Sequence, residues 1–409
     1  MSQKILKRKQ YTEKLEQLID TETIKVLTGV RRCGKTYILK SIEKTLKEKQ
    51  IPPKNIIYIS FESFEYNSIK NYIDLGNHIK KITEEIEGKI YFLFDEIQNI
   101  NQWEKIINAL RVDYHCDIYI TGSNSNMLSG ELATLLAGRY IQYQIYPFSY
   151  NEILEYHKEI LHEEITPTKE IEIFNKYMEY GGFPEILKYP EELKQKYLDS
   201  LYNTIILKDI VKRNEIRDYD FLERLLSYII NNIGGLFSAR KISKYFKHEN
   251  RKISLDKILR YISYIIDANI IMKSKRENMK GKQILTINEK YYLVDVGLYN
   301  NLIPKQYRNI GSILENIIYV ELIRRGYKIT IGKQDNLEVD FICRNLEKTI
   351  YIQVSWSIVD QTTQEREIKP LLNIKDNNPK YILSMDTFNF SRDNITHINV
   401  IDFLKNETI

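Results

Sequence analysis

Cysteine is scarce: Cys33, Cys116 and Cys343 are the only three in 409 residues, and no two share a spacing that would bind zinc or frame a disulfide. That usage fits a reducing compartment, and the expected location is cytoplasmic. No apolar run approaches the ~18 residues needed to cross a bilayer. Met1–Ile19 is charged throughout and has no apolar stretch of the signal-peptide kind, so no membrane partner is expected. Charge of one sign is not in large excess either. With 60 Lys and Arg against 55 Asp and Glu, the net charge is +5, which permits a nucleic-acid or acidic partner without demanding one. Internal repeats and low-complexity segments are also missing.

What remains is ordinary for a globular chain: 43% hydrophobic and 28% charged residues, enough for a large core without metal or disulfide support. At roughly 100–200 residues per domain, the length suggests about two to four domains. Tyrosine is frequent, at 31 residues. Together with abundant Ile, Lys and Asn it matches the codons of an AT-rich genome, so it is not evidence for base stacking.

Along the chain, a helix at Thr12–Ile19 precedes a short apolar strand, Thr23–Thr28, then a glycine-rich turn and a helix at Lys35–Lys49. Strands are expected at Asn55–Phe61, Lys89–Phe94, Asp117–Thr121 and Arg139–Pro147. Helices fall near Ile69–Glu87 and after Asn101, where Asn101 and Glu104 have the spacing of a capping box. Strands alternating with helices imply a parallel α/β sheet covered on both faces. Residues 151–219 read as helical, interrupted by Gly181-Gly182-Phe183-Pro184. Residues 220–305 read as three helices and a basic hairpin, and residues 306–409 as a helix followed by several strands.

The strongest chemical signal is Gly29-Val30-Arg31-Arg32-Cys33-Gly34-Lys35-Thr36, which fits G-x-x-x-x-G-K-[ST] between a strand and a helix. Glycines let the backbone curl so that its N–H groups face an anion, and the helix start adds its partial positive charge. Residues Gly29–Tyr37 are therefore expected to cradle the phosphates of ATP. Lys35 would reach the β- and γ-phosphates, and Thr36 would ligate Mg²⁺. The strand ending in Asp95-Glu96 supplies the second half of the site: Asp95 for the metal shell, Glu96 as general base toward water. Ser123 and Asn124, at the carboxyl end of another parallel strand, are candidates to touch the γ-phosphate or the lytic water.

Taken in order, residues 29–36, 92–104, 121–140 and 181–187 closely resemble a group of bacterial and archaeal AAA-type ATP-binding proteins with a C-terminal domain of unknown function. The resemblance covers essentially the whole chain. It implies a 1–150 ATPase core in which the Thr121 strand lies between the P-loop strand and the Asp95 strand. It implies a sensor role for Ser123 and Asn124 and makes Arg139 a candidate nucleotide or subunit-interface arginine. It also likens Gly182-Phe183-Pro184 to a lid element, and it leaves self-association open.

Three helices and a hairpin, Ile270–Ser274 pairing with Gln283–Ile287 across Lys275–Lys282, describe a winged-helix module over 220–305. Two uses compete: non-specific nucleic-acid contact through Lys273, Lys275, Arg276, Lys280 and Lys282 on the wing, or a lid or docking surface. The third helix is poor in base-reading side chains. Beyond residue 306, Glu315, Glu338, Asp340 and Gln353 fall in an order resembling restriction-endonuclease-type folds. In active members an acid stands where Gln353 is and a lysine where Ser355 is, so this site reads as vestigial and without hydrolytic power. The expected activity is Mg²⁺-dependent ATP hydrolysis that switches the appended modules. The alternatives are an ATP-fuelled nuclease and an ATP-binding scaffold with negligible turnover.

Overall fold

Five strands line up in parallel in the N-terminal unit, and the central ones are buried along nearly their whole length, as strands of a sheet covered by helices are, so most of their side chains are apolar. The computed structural model describes residues 6–124, 127, 138–248, 253–281 and 283–406. It divides into two compact units, the first running to Pro147 with Asp267–Asn269 added, the second formed by Phe148–Ile266 and Ile270–Ile409.

In the first unit the strands are β1 Ile24–Thr28, β2 Ile56–Ser60, β3 Ile90–Asp95, β4 Cys116–Gly122 and β5 Tyr140–Gln144. Their order is β2-β3-β4-β1-β5, all parallel. β4, which carries Thr121, thus lies between the P-loop strand and the Asp95 strand, as the resemblance implies. Helices α1 Lys9–Glu16, α2 Lys35–Glu48, α3 Tyr72–Thr83 and α4 Trp103–Asp113 accompany them. Phe92 and Phe94 stack at 5.6 Å in a core completed by Leu75, Ile79, Trp103 and Ile107. Such burial contributes roughly 1.5–3 kcal/mol per large apolar side chain. At the amino ends of the central strands, Lys25 and Asp117 form a wholly buried ion pair at 2.5 Å, with Tyr119 donating to the same carboxylate.

The expected capping box at Asn101 does not form. Gln102, with φ +57°, precedes α4 without a side-chain bond. The Asn101 backbone instead bridges to Asn71, its N–H donating to Lys70 and its carbonyl accepting from Tyr72. Asn71 is the residue that caps, accepting from Ile73 and Asp74 at the start of α3.

The second unit begins with α5 Tyr150–Glu159, α6 Pro167–Tyr180 and α7 Glu191–Thr204, the last continuing as a π-helical stretch, Ile205–Lys212. Three helices follow: α8 Tyr219–Asn231, α9 Ala239–His248 and α10 Leu255–Asp267. Ser238 and Ser254 accept from the backbone of Lys241 and Lys257, capping the last two.

The hairpin departs from the expected one. The sequence pattern predicts Ile270–Ser274 pairing with Gln283–Ile287. The strands are β6 Ile271–Asn278 and β7 Gln283–Leu293, with Ser274 opposite Lys290. They do not project as a wing. β6 pairs in parallel with β8 Lys328–Gln334, placing the hairpin at one edge of a seven-stranded sheet ordered β12-β11-β10-β9-β8-β6-β7. The added strands are β9 Leu337–Arg344, β10 Thr349–Val354, β11 Lys380–Ser384 and β12 Ile395–Asn399. Helices α11 Val296–Leu302, α12 Ile310–Arg324, α13 Gln361–Leu372 and α14 Val400–Lys405 complete the unit. No helix among the described residues is long and apolar enough to cross a membrane.

Candidate active site

The site is built where β1, β3 and β4 end side by side. After Thr28 the chain turns at Gly29, whose φ of +152° and position leave no room for a Cβ: one would lie 2.2 Å from the Ile145 carbonyl oxygen. Gly34, at φ +105°, starts α2 in the left-handed region that only glycine adopts freely. Arg32 (φ +67°) is exposed and Arg31 pairs with Glu62 at 2.8 Å. Cys33 is buried, its carbonyl accepting from Arg8 at 2.9 Å, so this cysteine anchors the loop from behind. Val30 is buried and Tyr37 is exposed on the first turn of α2.

Lys35 curls back over this loop. Its ammonium donates to the carbonyls of Gly29 (3.0 Å) and Val30 (3.2 Å) and stands 3.5 Å from Glu96. Burial works against that charge, but the carboxylates, Glu96 above all, outweigh it, so Lys35 holds its proton more firmly than an ordinary lysine. Asp95 accepts from Thr36 (2.9 Å), Thr121 (2.6 Å) and Tyr58 (3.3 Å). Burial pushes its carboxyl up in spite of the first two bonds, and Glu96 adds to the rise.

Glu96 follows β3 at φ +56°, a conformation uncommon for glutamate and held by Thr121, whose hydroxyl accepts from the Glu96 N–H at 2.9 Å. Burial alone would raise its carboxyl, yet Lys35, Gln98 and Arg31 hold it below the ordinary glutamate value. It is therefore an ionised carboxylate with both oxygens engaged, one facing Lys35 and the other accepting from Gln98 Nε2 at 2.5 Å. Gln98 Nε2 also lies 3.4 Å from the Ser123 hydroxyl, and its Oε1 is buried with no partner among the described residues.

The polar chain continues past Ser123. The Ser123 carbonyl accepts from Asn269 Nδ2 (3.2 Å), Asn269 Oδ1 accepts from Gln144 (2.9 Å), and Gln144 Oε1 accepts from Thr28 (2.9 Å), the residue before the P-loop. Gln142 donates to the same Thr28 hydroxyl. Asn124 follows Ser123, and its carbonyl accepts weakly from Met127.

Lys35, Thr36, Asp95, Glu96 and Ser123 are thus brought together. Arg139 is not among them. It stands one residue before β5, whose Tyr140 pairs with Ile24, and it donates to Asn108 at 3.1 Å. Five strand residues, about 15 Å, separate that end of β1 from Gly29, so Arg139 does not reach the phosphate loop of its own chain. Gln98, Gln142, Gln144 and Asn269 escaped the sequence reading. The i, i+2 spacing of Gln142 and Gln144 on a strand was a signal for two polar side chains on one face. Asn269 gave none.

The donor set fits a magnesium–nucleotide. Thr36 and Asp95 already touch, as neighbouring groups of one metal shell can, and the positive φ of Gly29 and Gly34 gives the loop between them its turn ahead of α2. The carboxylates of the second unit are a different case. Glu315 (α12), Glu338 and Asp340 (β9) do converge, but around Lys290, with Gln353 (β10) bonded to Asp340. Its ammonium lies 2.8 Å from Glu338 and 3.3 Å from Glu315. Arg276 takes Glu338 at 3.1 Å, and Tyr292 donates to Glu315. Asp340 accepts from the Val354 N–H, and burial followed by the Glu315 charge pushes its carboxyl well above the usual range. Gln353 spans the Asp340 N–H and Glu367. An internal ammonium and guanidinium thus already balance these acids. Among the described residues no cluster of three His, Cys, Asp or Glu is arranged to hold a metal.

The Gly181–Pro184 turn also has a definite structural partner. Asp295, buried in the same unit, accepts from Gly182 N–H (2.7 Å) and Gly297 N–H (2.8 Å), and a Cβ on Gly181 would collide with it. Burial pushes its carboxyl up to about 7 against both bonds and the Arg324 charge. The unfolded carboxyl loses its proton near pH 4, the folded one near 7, so over that window folding takes up a proton and stability falls as pH rises. Asp295→Asn removes this dependence. Its stability relative to wild type is expected to climb by several kcal/mol, about 4 at most, between pH 4 and 8. Denaturation at both pH values checks it, and a gap independent of pH refutes it.

Residues 21–154 match the family described as AAA domain, and residues 171–324 match a domain of unknown function, DUF8612. An uncharacterized protein of Haemophilus influenzae is 39% identical over 99% of this chain and 100% of its own length. One from Methanocaldococcus jannaschii is 34% identical over 85% of this chain and 77% of its own. Among solved structures, the Walker-type ATPase PABY2304 of Pyrococcus abyssi overlaps 73% of this chain and 96% of that one, at 16% identity and a TM-score of 0.47. The chain belongs to the family of that Haemophilus influenzae protein, with an AAA-type P-loop ATPase domain ahead of a domain of unknown function.

Proposed function

We propose that this chain binds Mg²⁺-ATP at Gly29–Tyr37, hydrolyses it, and passes the nucleotide state to its appended modules through Asn269. The loop amides and Lys35 hold the phosphates. Thr36 and Asp95 would hold Mg²⁺, which supplies neutralisation of charge on the phosphate oxygens. As the water oxygen bonds to the γ-phosphorus and the bond to the bridging oxygen breaks, Glu96 takes the water's proton. Its depressed pKa keeps it ionised for that role at neutral pH. When Lys35 turns from Glu96 to the phosphates, Gln98 is left to orient the base and ties it to Ser123.

The observation carrying the switch is the position of Asn269. The chain enters the ATPase unit at Asp267 and leaves it after Asn269. On the way Asn269 bonds both the carbonyl ending the sensor strand and the glutamine attached to Thr28. A shift of Ser123 or of the P-loop strand must therefore strain the residue that joins α10 to β6. Its φ of +57° is tolerated by asparagine better than by most side chains.

Mg²⁺-dependent phosphate release from ATP tests the activity. Asn269→Ala tests the coupling: ATP-induced thermal stabilisation is expected to persist. The difference in amide hydrogen exchange between ATP-analogue and ADP states, measured over 270–406, is expected to disappear. If that difference survives the substitution, Asn269 is not the link. The internally neutralised cluster around Lys290 favours no nuclease reading, and the intact Glu96 favours turnover over a passive scaffold.

A further inference from the structure

The cations of the hairpin, expected to meet phosphates, are largely spoken for. Lys273 pairs with Glu289, Arg276 with Glu338 and Lys280 with Asp335. Lys275 is exposed, and Lys282 lies outside the described residues. The situation on α9 is the reverse. Arg240, Lys241, Lys244 and Lys247 are all exposed, and none has an ion pair or side-chain hydrogen bond among the described residues. The helix carries no acid of its own. At 100° per residue, positions 240, 244 and 247 fall in one stripe with 241 and Tyr245 beside it, while Ile242 and Phe246 turn into the core.

We propose that this face of α9 is a docking surface for the phosphodiester backbone of nucleic acid, bound without reading sequence. A chain with net charge of only +5 has little reason to gather four cations on ten residues, with no acid paired to them among the described residues, unless a polyanion relieves their repulsion. Arg240 and Lys247 lie about 10 Å apart along the helix axis. That length of duplex presents roughly six phosphates, so the stripe and the charge row match in scale. Tyr245, exposed at the stripe's flank, offers a ring for an unpaired base. An anionic bilayer is the poorer fit, because a surface helix needs a free apolar side to insert, and Ile242 and Phe246 are buried in the module. The surface has no place in the ATP reading and does not depend on it.

The test is fluorescence anisotropy of the full chain without nucleotide, using a labelled 20-base single strand of DNA, its duplex and the matching RNA, over 50–300 mM salt. The arms separate DNA from RNA and single from double strands. Lys241→Glu/Lys244→Glu/Lys247→Glu is expected to weaken binding at least tenfold and to flatten the log-affinity against log-salt slope by about 2–3. Lys273→Glu/Lys280→Glu, which reverses paired cations, is expected to change both far less. Failure of wild type to bind any strand at 50 mM salt overturns the proposal. So does an α9 variant that binds like wild type, or equal competition by polyglutamate, which would mark an acidic protein as the partner. Helical circular dichroism of both variants guards against misfolding.

Discussion

Replacing Glu96 with Gln is expected to lower steady-state ATP turnover by about 10²–10⁴, the range for losing a positioned general base, while nucleotide still binds. The substitution is nearly isosteric, and an amide at 96 retains the backbone bond to Thr121 that fixes the left-handed turn. It removes the charge that competes with phosphate for Lys35 at 3.5 Å, so affinity should hold or rise even as hydrolysis stops. Gln98→Ala should act on the same step more mildly and with a distinct signature. Without the 2.5 Å bond the Glu96 carboxyl loses one of the groups depressing its pKa. The acidic limb of the pH–rate profile should then move to higher pH. Turnover of Glu96→Gln within a few-fold of wild type would remove Glu96 from the base role.

Local pattern was enough for the N-terminal sheet. Ile24–Thr28 and Ile90–Asp95 are buried along their whole length, as largely apolar strands alternating with helices are in a covered parallel sheet. The P-loop and the Asp95-Glu96 pair lie within single motifs, so their residue types announce their chemistry. What failed to show was set by distant partners. The hairpin was misread because β6 has its outer edge filled by β8, more than fifty residues away, which lengthens the strand and shifts its register. Asn101 has a good capping sequence, but Asn71 recruits its backbone. Arg139 lies near Ser123 in sequence, and the strand it precedes carries it to the far end of the sheet. The link from Gln98 through Ser123, Asn269 and Gln144 to Thr28 joins five segments, and only folding places them together. Lys290 illustrates the same limit: nothing in its neighbourhood in sequence marks it as the cation that the carboxylates of α12 and β9 enclose.

Lys35→Ala should cost the chain its nucleotide, with affinity for Mg²⁺-ATP falling at least 10²-fold, equivalent to roughly 3 kcal/mol. Truncating one member of a buried, hydrogen-bonded charge set costs about 2–5 kcal/mol, much of it from the charge left behind. Here the group left behind is Glu96, buried beside Asp95 with only the Gln98 bond and the Arg31 charge to offset it, so a second negative charge then faces the space meant for phosphate. Two effects add: the cation is lost, and an anion is uncovered. Lys35→Arg separates them from simple charge removal. The guanidinium keeps the charge, but its planar fork is too wide to fold between the Gly29 and Val30 carbonyls, so it should not restore affinity. The double variant Lys35→Ala/Glu96→Gln discriminates further. If the uncovered anion contributes, removing it should return part of the lost affinity, on the order of tenfold. Calorimetric titration with Mg²⁺-ATP reads all three, with the far-ultraviolet spectrum as the check on folding. A folded Lys35→Ala chain that takes up nucleotide like wild type would mean that the loop amides alone grip the phosphates. A double variant no better than the single one would place the whole loss in the missing ammonium.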